Sequence, residues 1–182
     1  MHKVMLKIVT ASLLVVGLVG CGTVYIDSSP MIKTTDQLYL DNVSLTLTES
    51  VKPDIEYYTQ EEMQKIFEDI LVERLKEDNL FTLDSTQNSL SVEITYRRQF
   101  GGDATPFPSD SLRDPSFSYK IIVKDGSKVL TEEAKGGLNY LGNMMMKLQI
   151  ASFSLRDKSD EDAFIEGVAT MIAEDIEDLE KP

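Results

Sequence analysis

Two side chains that could act as a nucleophile and a base occur only once each in this chain. Its 182 residues contain one cysteine, Cys21, and one histidine, His2. Because His2 lies in the amino-terminal segment that is expected to be removed, as described below, no Ser-His or Cys-His pair is predicted, and no phosphate-binding glycine loop or multi-cysteine zinc motif is found. The sequence therefore predicts no catalytic residue, no metal site and no cofactor.

Carboxylates are the remaining groups that could do chemistry. The chain has 31 Asp and Glu residues against 18 Lys and Arg, a formal net charge of −13. A carboxylate pair can support glycosidase-type hydrolysis, but with so many acids chance pairs are expected and no spacing singles one out. A carboxylate-dependent hydrolase is thus the least favoured alternative. Binding to nucleic acid requires a basic footprint, so nucleic acid is excluded as a partner.

The first 20 residues have the organisation of an export signal. Lys3 and Lys7 give a positively charged start, and an apolar run follows from Ile8 to Val19. That run is too short to cross about 30 Å of hydrocarbon as a helix. Small residues then precede Cys21, as they precede a signal-peptidase site. Residues 1–20 are therefore predicted to be a cleaved signal peptide.

The four residues Leu18-Val19-Gly20-Cys21 resemble the lipobox of bacterial lipoproteins. In that family the cysteine thiol receives a diacylglyceryl group, the signal is removed before it, and the new amino terminus is usually acylated. The resemblance implies lipidation of Cys21 and attachment to a membrane through the acyl chains. Gly22, rather than Asp, in the next position implies sorting to the inner leaflet of the outer membrane, facing the periplasm. The inner membrane and the cell surface remain alternatives.

Cleavage before Cys21 would change the charge and leave a tethered domain. Loss of residues 1–20 removes Lys3, Lys7 and His2 and takes the formal net charge from −13 to −15. Residues 21–36 are predicted to be the acylated cysteine and a flexible tether, because this polar segment has little periodicity. Residues 37–182 have a length typical of one domain.

Hydrophobic periodicity predicts an α+β fold for residues 37–182. A break in the alternation at Asp41-Asn42 indicates a β-bulge, and Thr59 with Glu62 has capping-box spacing. Ser159 is the expected cap of the last helix. Residues 142–155 favour an extended segment, with a short helix as the alternative. The predicted elements are strands 37–48, 89–100, 116–124 and 128–140, and helices 59–78 and 159–179. The order β-α-β-β-β-α predicts an antiparallel sheet of about four strands with two helices packed on one face.

Three groups of residues could carry binding. A methionine cluster offers an adaptable apolar surface, with core filling as its alternative. An acidic helix end could meet a basic partner, with a solvated face as the alternative. An arginine in the apolar register of its strand could meet a carboxylate or phosphate, with pairing inside the fold as the alternative. The residues concerned are Met144, Met145 and Met146; Glu174, Asp175, Glu177 and Asp178; and Arg98.

These features favour a non-enzymatic, membrane-anchored binding or accessory module of an envelope or transport assembly. Its layout resembles that of small lipoproteins that serve as accessories of such complexes, although no diagnostic motif identifies one family. An envelope protein is the expected partner, and the oligomeric state is left open. The alternative is a carrier or sensor of lipid or another apolar ligand. That alternative predicts an apolar pocket lined from Met144 to Phe153, with Phe100 or Phe117 nearby.

Overall fold

The computed structural model describes residues 37–179, which form a five-stranded sheet and three helices. The strands are β1 (Leu38–Glu49), β2 (Phe81–Thr82), β3 (Asn88–Arg98), β4 (Ser116–Asp125) and β5 (Lys128–Asn139). The helices are α1 (Gln60–Glu77), α2 (Met144–Ala151) and α3 (Asp162–Asp178), the last preceded by a 3-10 turn at Lys158–Glu161. The predicted α+β class is confirmed.

The sheet is mixed, so the prediction of an antiparallel sheet is wrong. Its strand order is β2-β1-β3-β4-β5, and β1 runs parallel to both β2 and β3. Only the β3-β4 and β4-β5 pairs are antiparallel. The cause is α1, which carries the chain back along the sheet so that β3 starts beside the start of β1. The predicted bulge in β1 is confirmed by a register shift between Leu40 and Asn42.

Helix α1 begins and ends at the residues that its sequence indicates. The Thr59 hydroxyl accepts from the Glu62 amide at 3.2 Å, and the Glu62 carboxylate accepts from the Thr59 amide at 2.8 Å. Asn79 adopts a left-handed φ of 60° just after the helix, which suits a residue that ends one. The fifth strand, β2, has only two residues and is too short to show a period in the sequence.

The main core lies between one face of the sheet and the helices α1 and α3. It is built from the alternate apolar residues of β1, β3 and β4 and from the apolar stripes of the two helices, including Phe67, Leu71, Tyr96, Val168 and Ile172. The opposite face of β3 carries the exposed residues Glu93, Thr95 and Arg97. The sheet is therefore covered on one face, as predicted for α1 and α3.

Two local predictions near the carboxyl end are wrong. Residues 142–155 are not extended, because Met144–Ala151 form α2, which was the alternative interpretation. Ser159 does not cap the last helix. Asp157 instead caps the 3-10 turn that precedes α3, with its carboxylate accepting from the Ser159 amide at 2.9 Å and from the Ser159 hydroxyl at 2.7 Å, while Glu161 at the N-cap of α3 makes no side-chain capping bond.

The two ends of the sheet carry different elements. At the first end, Leu38 of β1 pairs with Asn88 and with Phe81. At the second end, Glu49 pairs with Arg98, and Ser116 pairs with Asn139. The 12-residue β1 separates the two ends by about 36 Å, at a rise of about 3.3 Å per residue. We call these the Leu38 end and the Arg98 end.

Candidate interaction surface

The short helix α2 and its flanking residues expose a set of large apolar side chains at the Arg98 end. We call this set the α2 surface. Each member is between 52% and 78% exposed, although most large apolar side chains of the domain are buried. The α2 surface consists of Leu141, Met144, Met145, Leu148 and Phe153. Within α2, Leu148 follows Met145 by three residues and Met144 by four, spacings that place side chains on one side of a helix, and Leu141 precedes the helix.

Local hydrogen bonds fix both ends of α2. The Asn143 side chain accepts from the Met146 amide at 3.0 Å, which satisfies one of the first amides of the helix. At the other end, the Ser154 amide donates to the Gln149 carbonyl and the Phe153 amide donates to the Ile150 carbonyl. These two bonds form a Schellman motif. The helix is therefore defined at both ends despite its eight residues.

Phe153 occupies a backbone conformation that glycine or asparagine usually fills. Its φ is 54°, which is unusual for a bulky residue. A Cβ on Gly101 would overlap the Phe153 ring, so the ring lies directly against the backbone of the 101–115 loop. This close approach holds the last residue of the α2 surface in place.

Met146 attaches α2 to the domain. It is only 7% exposed and packs into a second, smaller apolar cluster at the Arg98 end. The buried residues of that cluster are Tyr57, Phe100, Leu112, Met146, Leu155 and Phe164. The methionine triplet is therefore divided, because Met146 fills the interior while Met144 and Met145 are exposed.

The segment before α2 is docked on α3 by a second close approach. The Tyr140 ring lies where a Cβ on Gly167 would be, and it makes an edge-on contact with Phe164 at 6.2 Å between ring centroids. The Tyr140 amide also donates to the Pro115 carbonyl at 3.2 Å. With α2 attached on both sides, the α2 surface is a fixed feature of the fold.

The segment that carries the α2 surface lacks acidic residues. Between Glu133 and Asp157 the sequence contains no Asp or Glu, although the chain has 31 of them. Lys147 lies within α2 and is exposed. Arg156 follows the helix and contacts the Asp110 carboxylate at 3.4 Å. The α2 surface is thus apolar and is bordered by the basic residue Lys147, because the charge of Arg156 is paired with that of Asp110.

Arg98, one of the predicted site residues, lies in the interior and is 4% exposed. Its guanidinium contacts both Glu161 oxygens at 2.7 and 2.9 Å, Glu49 at 3.0 Å and the Tyr58 carbonyl at 2.6 Å. Burial raises the pKa of the fully buried Glu161 carboxyl, and the guanidinium opposes that rise. The contacts of Arg98 are those of the alternative interpretation, pairing inside the fold.

The predicted acidic end of α3 is partly engaged with the sheet. Asp175 accepts a hydrogen bond from the Tyr119 hydroxyl and forms an ion pair with Lys135 at 2.7 Å. Burial, followed by the nearby Asp178, raises the pKa of the Asp175 carboxyl. Glu174 and Asp178 are exposed, whereas Glu177 is half-buried. Asp175 is thus oriented toward β4 and β5.

A depression of about 340 Å³ lies between α1 and α3 rather than beside α2. Charged side chains make up most of its lining, and Arg74 within it contacts Glu77 at 3.2 Å and Glu166 at 3.7 Å. Across residues 37–179 no group of three or more potential ligands is arranged to hold a metal ion. Among the helices of that same range, none has the length and apolarity needed to span a bilayer. Cys21, the predicted signal peptide and the predicted tether lie outside the described residues.

Sequence reasoning identified part of this surface. It singled out the methionines but missed Leu141 and Lys147 as members of the same region, and it missed Glu161 and Glu49 as the partners of Arg98. The signal for Leu141 was its position three residues before Met144. Contacts across 63 residues of sequence, such as that between Arg98 and Glu161, carry no local signal.

The similar solved structures reported below have TM-scores below 0.5 and less than 20% sequence identity with this chain. No family model matches the chain, and no curated protein matches its sequence. One similar structure is a minor lipoprotein from Acinetobacter baumannii, with a TM-score of 0.39 and 17% identity, covering 75% of this chain and 91% of the other. Another is a Xanthomonas campestris protein described under the family model DUF330, with a TM-score of 0.42 and 13% identity, covering 84% and 87%.

Proposed function

We propose that this chain is a lipid-anchored bacterial lipoprotein whose domain is a non-enzymatic accessory module that binds an envelope protein through the α2 surface. The anchor rests on the lipobox-like residues that end at Cys21. Placement on the inner leaflet of the outer membrane rests on Gly22. The observation that carries the binding role is the exposure of five large apolar side chains around one short, well-fixed helix.

The α2 surface has the properties of a binding site rather than of incidental exposure. Large apolar side chains that are exposed together mark interaction sites, whereas isolated ones are ordinary. Two of the five side chains are methionines, which adapt their shape to a partner because they are unbranched and polarisable. Capping at both ends and the docking of Met146 keep the helix ordered while its outer side remains open.

The orientation of these side chains favours protein binding over the carrier alternative. A carrier pocket would require Met144 and Phe153 to line an enclosed space near Phe100. Instead Met144 is 78% exposed, whereas Phe100 is completely buried in the second cluster. The side chains that would hold an apolar ligand therefore point outward.

The anchor is tested with Cys21→Ser. In the parent strain the protein should be recovered with membranes as a mature-size, acylated form, and the variant should accumulate unprocessed and without lipid. Sucrose-gradient fractionation then tests the choice of membrane. A Cys21→Ser protein that still fractionates with membranes at mature size would contradict the lipoprotein proposal.

The binding role is tested by crosslinking the lipidated protein in native membranes, purifying it and identifying attached proteins and lipids by mass spectrometry. Met144→Asp places a charge on the α2 surface, and Leu83→Asp places one at an equally exposed site at the Leu38 end. We expect one stoichiometric protein that is lost with Met144→Asp and kept with Leu83→Asp. Recovery of lipid alone, or equal recovery with both variants, would contradict the proposal.

A further inference from the structure

We infer that the α2 surface faces away from the membrane and takes an apolar helical segment of a partner protein that is flanked by acidic side chains. This inference rests on the proposed function, because it specifies the position and chemistry of the partner that binds the α2 surface. It follows from three observations: where the chain enters the domain, how far the tether extends, and how charge is distributed around α2.

The start of β1, where the chain enters the domain, and the α2 surface lie at opposite ends of the sheet. The chain enters β1 at Leu38, so residues 21–36 precede the domain at the Leu38 end. The helix α2 follows Asn139, which pairs with Ser116 at the Arg98 end. Met146 packs there with Phe100 and Leu112, which come just after β3. About 36 Å of strand separates the two ends.

The tether favours an orientation in which the Leu38 end is nearer the membrane. Residues 21–36 number 16, and a chain of that length reaches about 55 Å at most when fully extended. Because the α2 surface lies about 36 Å farther along the sheet, its contact with the bilayer would require the domain to lie flat or those residues to extend, and extension costs entropy. In the upright orientation the surface faces the aqueous side.

Charge around α2 indicates the chemistry of the occupant. The mature chain is strongly acidic, but residues 134–156 contain no carboxylate. Lys147 is an exposed basic residue of α2 among exposed apolar residues, whereas Arg156, just beyond the helix, is paired with Asp110. Amphipathic helices bind apolar surfaces through their own apolar side, and rim charges set which partner is accepted. A partner helix with carboxylates beside its apolar side chains complements both properties.

The orientation is measured on the lipidated full chain reconstituted in phosphatidylethanolamine-phosphatidylglycerol vesicles. Acylation consumes the only native thiol, so Met145→Cys and Leu83→Cys each provide one site for a fluorescent donor. Energy transfer to a headgroup-labelled acceptor lipid reports the height of each site. We expect strong transfer from position 83 and a loss of transfer at position 145. Transfer at 145 equal to or greater than that at 83 would overturn the inference in favour of a bilayer-facing surface.

The charge preference of the α2 surface is measured with two synthetic amphipathic helical peptides. Both carry the same stripe of leucines, and they differ in having Glu or Lys residues beside it. Exposed charge pairs contribute modestly, so the Glu-flanked peptide should bind the vesicle-bound protein about threefold more tightly. Lys147→Glu should reverse this order, and Met144→Asp should abolish binding of both peptides. The inference of an acidic partner helix would be overturned if the two peptides bound with equal affinity or if the Lys-flanked peptide bound more tightly. It would also be overturned if neither peptide bound at about 1 mM.

These two experiments separate the inference from the proposed function. Energy transfer reports orientation whether or not any protein binds, whereas crosslinking in native membranes reports a partner whatever its charge. A partner that depends on Met144 together with a bilayer-facing position 145 would contradict only the inference. A membrane-distal position 145 with no Met144-dependent partner would contradict the proposed function and the stated occupant, and would leave only the inferred orientation standing.

Discussion

Arg98 and Glu161 form a buried two-point ion pair that joins the end of β3 to the 3-10 turn before α3. The Nε and Nη2 atoms of the guanidinium contact the two carboxylate oxygens at 2.7 and 2.9 Å. The same guanidinium contacts Glu49 at the end of β1 and the Tyr58 carbonyl before α1. One arginine thus connects three elements around the second apolar cluster, on which α2 rests.

Removing one member of this pair should strongly destabilise the domain. Glu161→Gln removes the bidentate carboxylate and leaves the buried Arg98 guanidinium with Glu49 as its remaining charged partner, and breaking a buried ion pair typically costs about 3–5 kcal/mol. The free energy of unfolding, measured by urea denaturation, should fall by about that amount. As a control, Lys65→Met breaks an exposed pair with Asp69 and should change it by less than about 1 kcal/mol. Similar losses for the two variants would contradict this view of the pair.

The methionines of the triplet should differ in their contribution to stability, because Met146 is buried and Met144 is exposed. Met146→Ala removes a side chain that is 7% exposed and should lower the free energy of unfolding by about 2–3 kcal/mol. Met144→Ala removes one that is 78% exposed and should change it by less than about 0.5 kcal/mol. Thermal or urea unfolding of both variants checks this. If Met144→Ala were the more destabilising change, α2 could not be oriented as described.

The close approach of Tyr140 to α3 should make Gly167 sensitive to a single methyl group. A Cβ at this position overlaps the Tyr140 ring, and overpacking of that kind costs about 1–3 kcal/mol. Better helix propensity offsets about 1 kcal/mol of this. Gly167→Ala should therefore lower the free energy of unfolding by up to about 2 kcal/mol. Gly136→Ala, whose nearest neighbour would be Ser118 Cβ at 3.9 Å, is the control. A Gly167→Ala protein more stable than Gly136→Ala would exclude the described packing.

Stability should fall at alkaline pH partly because of Tyr57. Burial, more than the neighbouring carboxylates, raises the pKa of its phenol from 10.0 to about 12, and its hydroxyl donates to the Asp110 carbonyl at 2.6 Å. The unfolded chain therefore loses this proton at lower pH than the folded one. The contribution is complete below pH 10 and is lost as the pH rises toward about 12. In Tyr57→Phe, urea unfolding should show a shallower fall across this interval. If Tyr57→Phe and the parent protein showed the same dependence of unfolding free energy on pH, Tyr57 could not be a source of the alkaline loss of stability.

Local signals account for the elements that were predicted correctly. The alternation in β3, the Asp125-Gly126 turn and the capping box at Thr59 each act within a few residues, and each appears where the sequence indicates. The bulge in β1 was visible for the same reason, because an extra residue shifts the alternation.

Long-range packing accounts for the elements that were not predicted. Whether β3 runs parallel or antiparallel to β1 depends on where α1 returns the chain, which no pattern within either strand reports. Residues 142–155 fit both periods, and the docking of Met146 in a cluster built from distant segments selects the helix. The division of the methionine triplet follows from the same packing, so exposure of Met144 could not be deduced from composition.

The proposal that the α2 surface binds a protein is tested most directly by a photoreactive phenylalanine analogue placed at position 145 in the lipidated protein in living cells. Position 83 is the matched control, because Leu83 is 84% exposed at the opposite end of the sheet. We predict a discrete protein adduct from position 145 that is absent from position 83 and is lost when Leu148→Asp is added. Adducts to lipid alone at 145, or the same protein adduct from both positions, would contradict the account.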